Sequence, residues 1–279
     1  MSRISNAFIN PGYKALIPYV TVGYPSIEDT VKTVQLLAEN GCDIIELGIP
    51  FSDPLADGAT IQGASYHAIH NGVTPGVCLD VARELCRKVS TPLVFMTYFN
   101  PVLNWGVRGF CAACARAGVS GLIIPDLPPE EGGETEKIAV KNGIDLIYLL
   151  SPASPQERIR LVCSRSRGFV YLVSVTGVTG TRSALPAGLD KFIGRVKRET
   201  RMPVCVGFGI STPSQAAEVA RMADGVIVGS RIIQLMERGA ASDAALRSFI
   251  RRLRSAVDKS AVAAGGFEPL TGGARRASL

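Results

Sequence analysis

Short runs of apolar residues recur along the chain, and each run leads through a turn into a stretch with helical periodicity. Val, Ile, Leu and Ala dominate these runs, which is typical of parallel strands covered by helices. We predict eight strands, at residues 16–22, 43–49, 93–98, 121–125, 145–149, 169–174, 203–206 and 225–228. Helices are predicted at residues 27–39, 77–89, 107–117, 133–141, 155–164, 189–200, 213–221, 232–238 and 243–261.

The repeating order of strand and helix predicts an α/β fold made of a single (β/α)8 TIM barrel. An open doubly wound sheet is the weaker alternative, because it is expected to carry a Gly-rich dinucleotide loop after its first strand, and none follows residues 16–22. We expect one barrel domain over residues 1–263. Residues 264–279 are Gly-rich and polar, and we expect a disordered tail there.

Two connections are longer than an ordinary βα turn. The first, at residues 51–91, has room for an extra helix near residues 60–70. The second, at residues 175–188, is rich in Gly, Thr and Ser, and we expect a mobile loop that orders over a bound phosphate ester. Both connections follow strands, so both are predicted at the C-terminal face, where barrel enzymes keep their active sites.

The basic balance of the chain raises nucleic acid as a partner, since 30 basic and 24 acidic residues give a formal net charge of +6. No aromatic stacking platform, zinc-finger pattern or RNP pattern accompanies this charge. A solvated helix face explains it better, and we expect no nucleic-acid partner. Much of the excess lies near the C-terminus, in Arg247, Arg251, Arg252, Arg254, Arg275 and Arg276.

The seven cysteines are scattered, and their odd number does not suggest a disulfide framework. Cys111 and Cys114 form a C-x-x-C within a predicted helix, but no second pair or nearby histidine completes a zinc site. His67 and His70 lack a third ligand, so we expect no metal. The chain shows no apolar run long enough to span a bilayer and no signal segment at its start. These features favour a reducing compartment, the cytoplasm or an organelle stroma, and no membrane partner.

Glu46 is the first candidate for chemistry. Alternation along residues 43–49 places three aliphatic side chains on the outer face, so Glu46 is predicted to point into the barrel near the C-terminal end of its strand. An unpaired carboxylate there has a raised pKa and can serve as a general acid–base group. The alternative is a structural Glu paired with a buried Lys or Arg.

Asp53 and Asp57 follow on the same segment and lie in Asp-Pro and Asp-Gly pairs. Both pairs are common in turns, so a purely structural role is an equally good interpretation of the spacing. The segment leaves the strand that carries Glu46, however, and a second carboxylate could therefore face the same cavity.

Three glycine-containing segments follow the last predicted strands, at residues 177–180, 207–209 and 229–230. Glycines let backbone N–H groups approach an anion, and barrels commonly bind phosphate after strands seven and eight. Each segment alone could be an ordinary turn, but together they indicate a phosphate site. No lysine stands at the end of a strand, which argues against a Schiff-base aldolase.

The segment IIELGIPFSDPLADG at residues 44–58 resembles the signature of tryptophan synthase alpha subunits. Collinear matches at residues 15–21, 122–128, 171–180 and 207–211 extend the resemblance over about residues 14–260. The resemblance implies a retro-aldol lyase that cleaves indole-3-glycerol phosphate to indole and glyceraldehyde 3-phosphate. It also implies a beta subunit as partner in an alpha2beta2 heterotetramer. Pyridoxal phosphate would belong to that partner, with no cofactor in this chain.

The resemblance also implies roles for individual residues. Glu46 would protonate the indole C3 and assist proton removal from the glyceryl hydroxyl, Asp57 would hold the indole N–H, and Tyr171 would be a supporting polar group. The implied substrate-binding residues are Tyr19, Ile61, Met96, Tyr98, Ile123, Thr179, Gly180, Phe208, Gly209, Gly229 and Ser230.

Three alternatives stay open at this stage. A stand-alone lyase of the same family would release free indole without a beta subunit. A sugar-phosphate isomerase would need aspartates at the ends of the first and fifth strands, and the sequence has none there. A non-catalytic subunit would not need to retain both carboxylates.

Overall fold

The computed structural model describes residues 2–174, 185–207, 209–237 and 242–263. Its described strands form one sheet in which every pairing is parallel, in the order β5-β4-β3-β2-β1-β9-β8-β7-β6. The strands are β1 (Ala15–Thr21), β2 (Ile45–Gly48), β3 (Leu93–Met96), β4 (Gly121–Ile123), β5 (Asp145–Ile147), β6 (Leu149–Leu150), β7 (Val170–Val173), β8 (Val204–Gly207) and β9 (Gly225–Val228).

The predicted fifth strand is divided in the structure at Tyr148, which separates β5 from β6. The Tyr148 N–H donates to the Ser166 hydroxyl at 3.1 Å instead of to a neighbouring strand, so the ladder changes partner at this residue. β5 then pairs with β4, and β6 pairs with β7. The two ends of the sheet are therefore joined through one residue, and the nine strands occupy the eight positions of a nearly closed barrel.

The helices lie between the strands, as the periodicity predicts. They are α1 (Arg3–Asn6), α2 (Ile27–Glu39), α3 (Ala59–His70), α4 (Pro75–Lys88), α5 (Phe99–Trp105), α6 (Val107–Ala117), α7 (Gly133–Lys141), α8 (Gln156–Arg165), α9 (Leu189–Lys197), α10 (Pro213–Met222), α11 (Ser230–Met236) and α12 (Ser242–Ala263). The extra helix expected after the second strand is present as α3. The sequence did not predict α1 or α5, both of which are short.

An acceptor from another segment fixes the start of α5. The carboxylate of Asp126, which follows β4, accepts the Phe99 N–H at 2.8 Å and satisfies a donor that the first helical turn leaves open. Tyr98, which we had expected to end a strand, is instead the N-cap residue of this helix. Periodicity within seven residues could not show this, because the stabilising acceptor lies 27 residues further along the chain.

Arg254 corrects the prediction of a wholly solvated basic face on the last helix. Arg254 is 7 % exposed, and its guanidinium lies 2.9 Å from an Asp43 carboxylate oxygen. It also donates to the Lys14 carbonyl at 2.8 Å and pairs with Asp258 at 2.7 Å. Residue 254 falls one helical turn after the buried Ile250, which places it on the apolar face of α12.

The N-terminal end of the barrel is covered by the first residues of the chain. Ile4 is fully buried, and Ser2 donates a hydrogen bond to Asp145 at the start of β5. Arg3 donates to the carbonyls of Gly118 and Ser90, which lie just beyond α6 and α4. This end is therefore closed, and the opposite end remains for a ligand.

Most of the predicted mobile loop, residues 175–184, and the whole predicted tail, residues 264–279, lie outside the described residues. The expected behaviour of the loop, the disorder of the tail and the domain boundary at residue 263 stay predictions.

Candidate active site

Glu46 lies on β2 and is fully buried inside the barrel. It is in register with Tyr19 of β1, so the two side chains project from the same face of the sheet. Within the described residues, neither carboxyl oxygen has a hydrogen-bond partner and no Lys or Arg pairs with it. Burial raises the pKa of Glu46 to about 8. The inward orientation predicted from alternation is thus found, and the described residues contain no ion-pair partner for a salt-bridged structural Glu.

Asp57 lies in the turn that precedes α3, and its side chain is also buried, at 5 % exposure. Its N–H donates to the Pro54 carbonyl at 3.0 Å, so the turn role is present. Its carboxylate nonetheless faces the barrel interior, where one oxygen has no partner among the described residues. Burial raises the pKa of Asp57 to about 6, and a hydrogen bond from Tyr98 acts in the opposite direction. Asp53, by contrast, is exposed.

Three buried tyrosines surround the two carboxylates. Tyr19 comes from β1, Tyr98 from the N-cap of α5 and Tyr171 from β7, and each is no more than 5 % exposed. Burial raises the pKa of Tyr19 and of Tyr171 well above the ordinary value, and the negative charges of Asp57 and Glu46 raise both further. The tyrosines are therefore neutral hydrogen-bonding groups close to both acids.

Two strand glycines make room for two of these phenols. A Cβ atom on Gly48 would lie 2.0 Å from the Tyr19 hydroxyl oxygen, and one on Gly207 would lie 2.6 Å from the Tyr171 hydroxyl oxygen. Real Cβ atoms do not approach so closely, so any larger residue would displace the ring. Sequence analysis did not assign a role to Gly48, although a glycine inside a strand often marks close approach of another group.

Apolar side chains complete the wall beside the carboxylates. Met96 and Ile123 end β3 and β4, are in register with Gly48, and are 7 % and 0 % exposed. Ile61, on the first turn of α3, is 7 % exposed. Such a lining suits a planar apolar ligand.

The candidate phosphate residues are described in part. Gly209 follows β8 with a backbone φ of +83°, and Gly229 is the N-cap residue of α11, which begins at Ser230. A Cβ atom on Gly229 would lie 3.4 Å from the Cβ atom of Tyr19, so this segment adjoins the pocket of the carboxylates. Thr179, Gly180 and Phe208 lie outside the described residues.

Comparison with known proteins decides the family. The family model described as "Tryptophan synthase alpha chain" matches residues 7–263. The chain belongs to the tryptophan synthase alpha chain family. This family is a lyase family of tryptophan biosynthesis, so the resemblance seen in the sequence is confirmed.

Individual members of the tryptophan synthase alpha chain family are similar over most of their length. The alpha chain from Dehalococcoides mccartyi is 57 % identical over 258 residues, which cover 92 % of this chain and 100 % of the relative. A solved tryptophan synthase from Mycobacterium tuberculosis has a TM-score of 0.85 at 39 % identity, covering 92 % of this chain and 98 % of that one. The alpha subunit from Legionella pneumophila has a TM-score of 0.84 at 34 % identity, covering 93 % and 99 %.

Three further observations concern metal binding, membrane-spanning helices and two of the cysteines. Among the described residues, no group of three or more His, Cys, Asp and Glu side chains is arranged to hold a metal ion. Across the same part of the chain, no helix has the length and apolar character needed to cross a membrane. Cys111 and Cys114 are both free and buried within α6.

Proposed function

We propose that this chain cleaves indole-3-glycerol phosphate to indole and glyceraldehyde 3-phosphate by a retro-aldol reaction. The observation that carries the proposal is the pair of buried carboxylates, Glu46 and Asp57, whose different surroundings give them different pKa values at one end of the barrel. Environments that separate the pKa values of two acids assign them different roles, one as acid and one as anion.

Glu46 is the proton donor in this proposal. With a pKa of about 8 it carries its proton near neutral pH and can deliver it to C3 of the indole ring. The resulting Glu46 carboxylate then assists removal of the proton from the glyceryl hydroxyl. As that hydroxyl becomes the aldehyde carbonyl, the bond between C3 and the glyceryl carbon breaks and its electron pair returns to the ring.

Asp57 is the anion. With a pKa of about 6 it is ionised near neutral pH, so it can accept the indole N–H and stabilise the positive charge that protonation at C3 places on the ring. Tyr171, whose hydroxyl lies close to Gly207, is a supporting polar group. Tyr19, Ile61, Met96, Tyr98 and Ile123 form the walls of the indole slot.

The phosphate end of the substrate is assigned to the segments after β7, β8 and β9. Gly209 has a left-handed backbone, and Gly229 and Ser230 stand where α11 begins, so N–H groups near these residues are available to an anion. Thr179, Gly180 and Phe208 are assigned to the same end from the family resemblance alone.

We assign a beta subunit as partner, in an alpha2beta2 complex, and we assign pyridoxal phosphate to that subunit and no cofactor to this chain. Exposed apolar side chains on the segments that follow β2 and β3 support docking at that end of the barrel: Leu55 is 87 % exposed, Leu103 is 53 % and Trp105 is 44 %. Exposed apolar groups of this kind mark protein interfaces. All seven cysteines are free, which favours the cytoplasm, where thiols stay reduced.

The purified chain should release indole and glyceraldehyde 3-phosphate from indole-3-glycerol phosphate, measured with and without a beta subunit. We expect Glu46→Gln to lower kcat at least ~100-fold, since it removes the acid and keeps the shape. Absence of indole from the wild type, or near-normal turnover in this variant, would overturn the proposal. Full activity without any binding of a beta subunit would instead support the stand-alone lyase.

The docking surface can be tested separately. Leu103→Asp should weaken binding of a beta subunit in titration calorimetry, because it puts a charge into an apolar contact. Val140→Asp on α7 is the matched control, since Val140 is exposed to a similar extent, 45 %. Equal binding by both variants would remove this surface from the interface.

A further inference from the structure

We propose that Tyr98 is a positioning residue for the reaction: its hydroxyl links the Ala56 N–H to the Asp57 carboxylate and holds that carboxylate as a hydrogen-bond acceptor aimed at the substrate. This inference rests on the proposed function and goes beyond the role of Tyr98 as a wall of the indole slot. Its basis is the hydrogen bond that the Ala56 N–H donates to the Tyr98 hydroxyl, directly beside Asp57.

The Ala56 backbone fixes which way the Tyr98 hydroxyl donates. The Ala56 nitrogen lies 2.9 Å from the Tyr98 hydroxyl oxygen, and a backbone N–H can only donate. The phenol oxygen is therefore the acceptor of this bond, which leaves its own single proton free for another partner. Asp57 is the next residue after Ala56, and a hydrogen bond from Tyr98 lowers the pKa of its carboxyl. We therefore assign the phenol proton to that carboxylate.

Tyr98 is itself held in place from several sides. It begins α5, whose next residue, Phe99, is anchored to Asp126 at 2.8 Å. Its ring lies 5.3 Å from that of Phe51, measured between centroids. The side chain is 5 % exposed. The segment at residues 51–58 is therefore hydrogen-bonded to a side chain that is held in place at the start of α5.

The other groups around Asp57 do not do the same. Tyr19 from β1, Tyr171 from β7 and Glu46 from β2 all lie in the same interior, but only the Tyr98 hydrogen bond lowers the pKa of Asp57 against the effect of burial. The negative charge of Asp126 acts on Tyr98, whose pKa it raises. Without the Tyr98 hydroxyl, no hydrogen bond from this residue would offset the rise that burial causes in the pKa of Asp57. Asp57 would then keep its proton up to a higher pH.

The test is Tyr98→Phe, which keeps the ring and removes the hydroxyl. A hydrogen bond to a charged group is strong enough that its loss should raise the pKa of Asp57 by about one. We expect the acid limb of the kcat/KM profile to move upward by that amount, with a loss of about tenfold at low pH beyond any loss on the plateau. KM should change little. Titration of the Asp57 carboxyl carbon by 13C NMR should show the same displacement without relying on activity.

Tyr148→Phe is the matched control, because the Tyr148 hydroxyl also donates to a carboxylate, that of Glu136 at 2.6 Å, but on the outer side of the barrel against α7. It should leave the acid limb and the Asp57 titration where they are. A second variant, with 3-fluorotyrosine at position 98, makes the hydroxyl a stronger donor and should move both downward.

An Asp57 titration that is the same in wild type and Tyr98→Phe would overturn the inference, and so would an activity loss that is uniform across pH. Failure of the proposed function would look different: the wild type would then produce no indole, while the NMR titration would still report whether Tyr98 controls Asp57.

Discussion

Replacing the buried Glu46 by Gln should stabilise the protein, and the gain should grow with pH. Glu46 is fully buried, and neither of its oxygens has a partner among the described residues. Its pKa is raised from 4.5 to about 8 on folding. A raised folded-state pKa means that the unfolded chain loses this proton first, so folding becomes less favourable as pH rises from about 4.5 towards about 8.

The two pKa values set the size of the effect. The penalty is the free-energy difference between ionising this group in the unfolded and folded states, at 1.36 kcal/mol for each tenfold change in the ionisation ratio. It amounts to about 1 kcal/mol at pH 5, about 3 at pH 7 and about 5 at pH 9. Gln cannot ionise, so it avoids this penalty entirely. The stability of the variant minus that of the wild type should therefore rise by ~4 kcal/mol from pH 5 to pH 9.

Urea unfolding of both proteins at a series of pH values measures this difference directly. Glu218→Gln is a suitable control, because Glu218 is exposed on α10 and its replacement should give a small effect that does not vary with pH. The same preparations should show the loss of turnover. A protein that is more stable and less active would fit a site where function is maintained at the expense of stability.

Two results would refute the reasoning about Glu46. A stability difference that stays constant from pH 5 to pH 9 would mean that Glu46 ionises equally easily in both states. A difference that falls with pH would mean that the folded protein stabilises the carboxylate, as a buried ion pair would.

Further substitutions test other features. Asp57→Asn should lower turnover in the indole assay and leave the melting temperature unchanged, because Asn also suits an Asp-Gly turn; unchanged turnover would leave only the turn role. Gly48→Ala should collide with the phenol it faces at 2.0 Å and reduce both activity and, by ~1–3 kcal/mol, stability. Gly63→Ala has open space around it on α3 and should raise the melting temperature instead. Arg254→Met should cost ~3–5 kcal/mol in urea unfolding, because it removes the buried cation that pairs with the part-buried Asp43 and Asp258. Arg252→Met, on the exposed side of α12, should change stability by less than ~0.5 kcal/mol. Equal losses of stability in the two variants would mean that the ion pairs of Arg254 do not stabilise the fold.

The sequence was most informative where one periodicity decided the outcome. Alternation along a single strand was enough to point Glu46 into the barrel, because helices cover the outer face of every strand. The buried face of the last helix, from Leu246 to Val257, was likewise predicted from a 3.6-residue repeat. The number of barrel positions followed from counting such units.

Features that depend on contacts between distant segments were missed. The contact that defines the role of Tyr98 joins it to Ala56, 42 residues earlier, and no local pattern encodes that distance. Arg254 is buried because Asp43 lies opposite it, 211 residues away along the chain. The break at Tyr148 depends on a hydroxyl 18 residues later. In each case the deciding partner becomes visible only when the barrel is closed.

The division of the sheet at Tyr148 has a consequence for how this barrel could change its substrate. Strands β1 to β5 and the segments after them supply Glu46 and Asp57, whereas β6 to β9 lead into the glycine segments at residues 209 and 229–230. The carboxylates proposed to act on the indole ring and the glycine segments proposed to bind the phosphate thus lie in opposite halves of the chain. The two halves meet where β1 pairs with β9 and at Tyr148. A recombinant that kept the second half and exchanged the first would retain the phosphate segments and Tyr171 while receiving new groups in place of the two carboxylates.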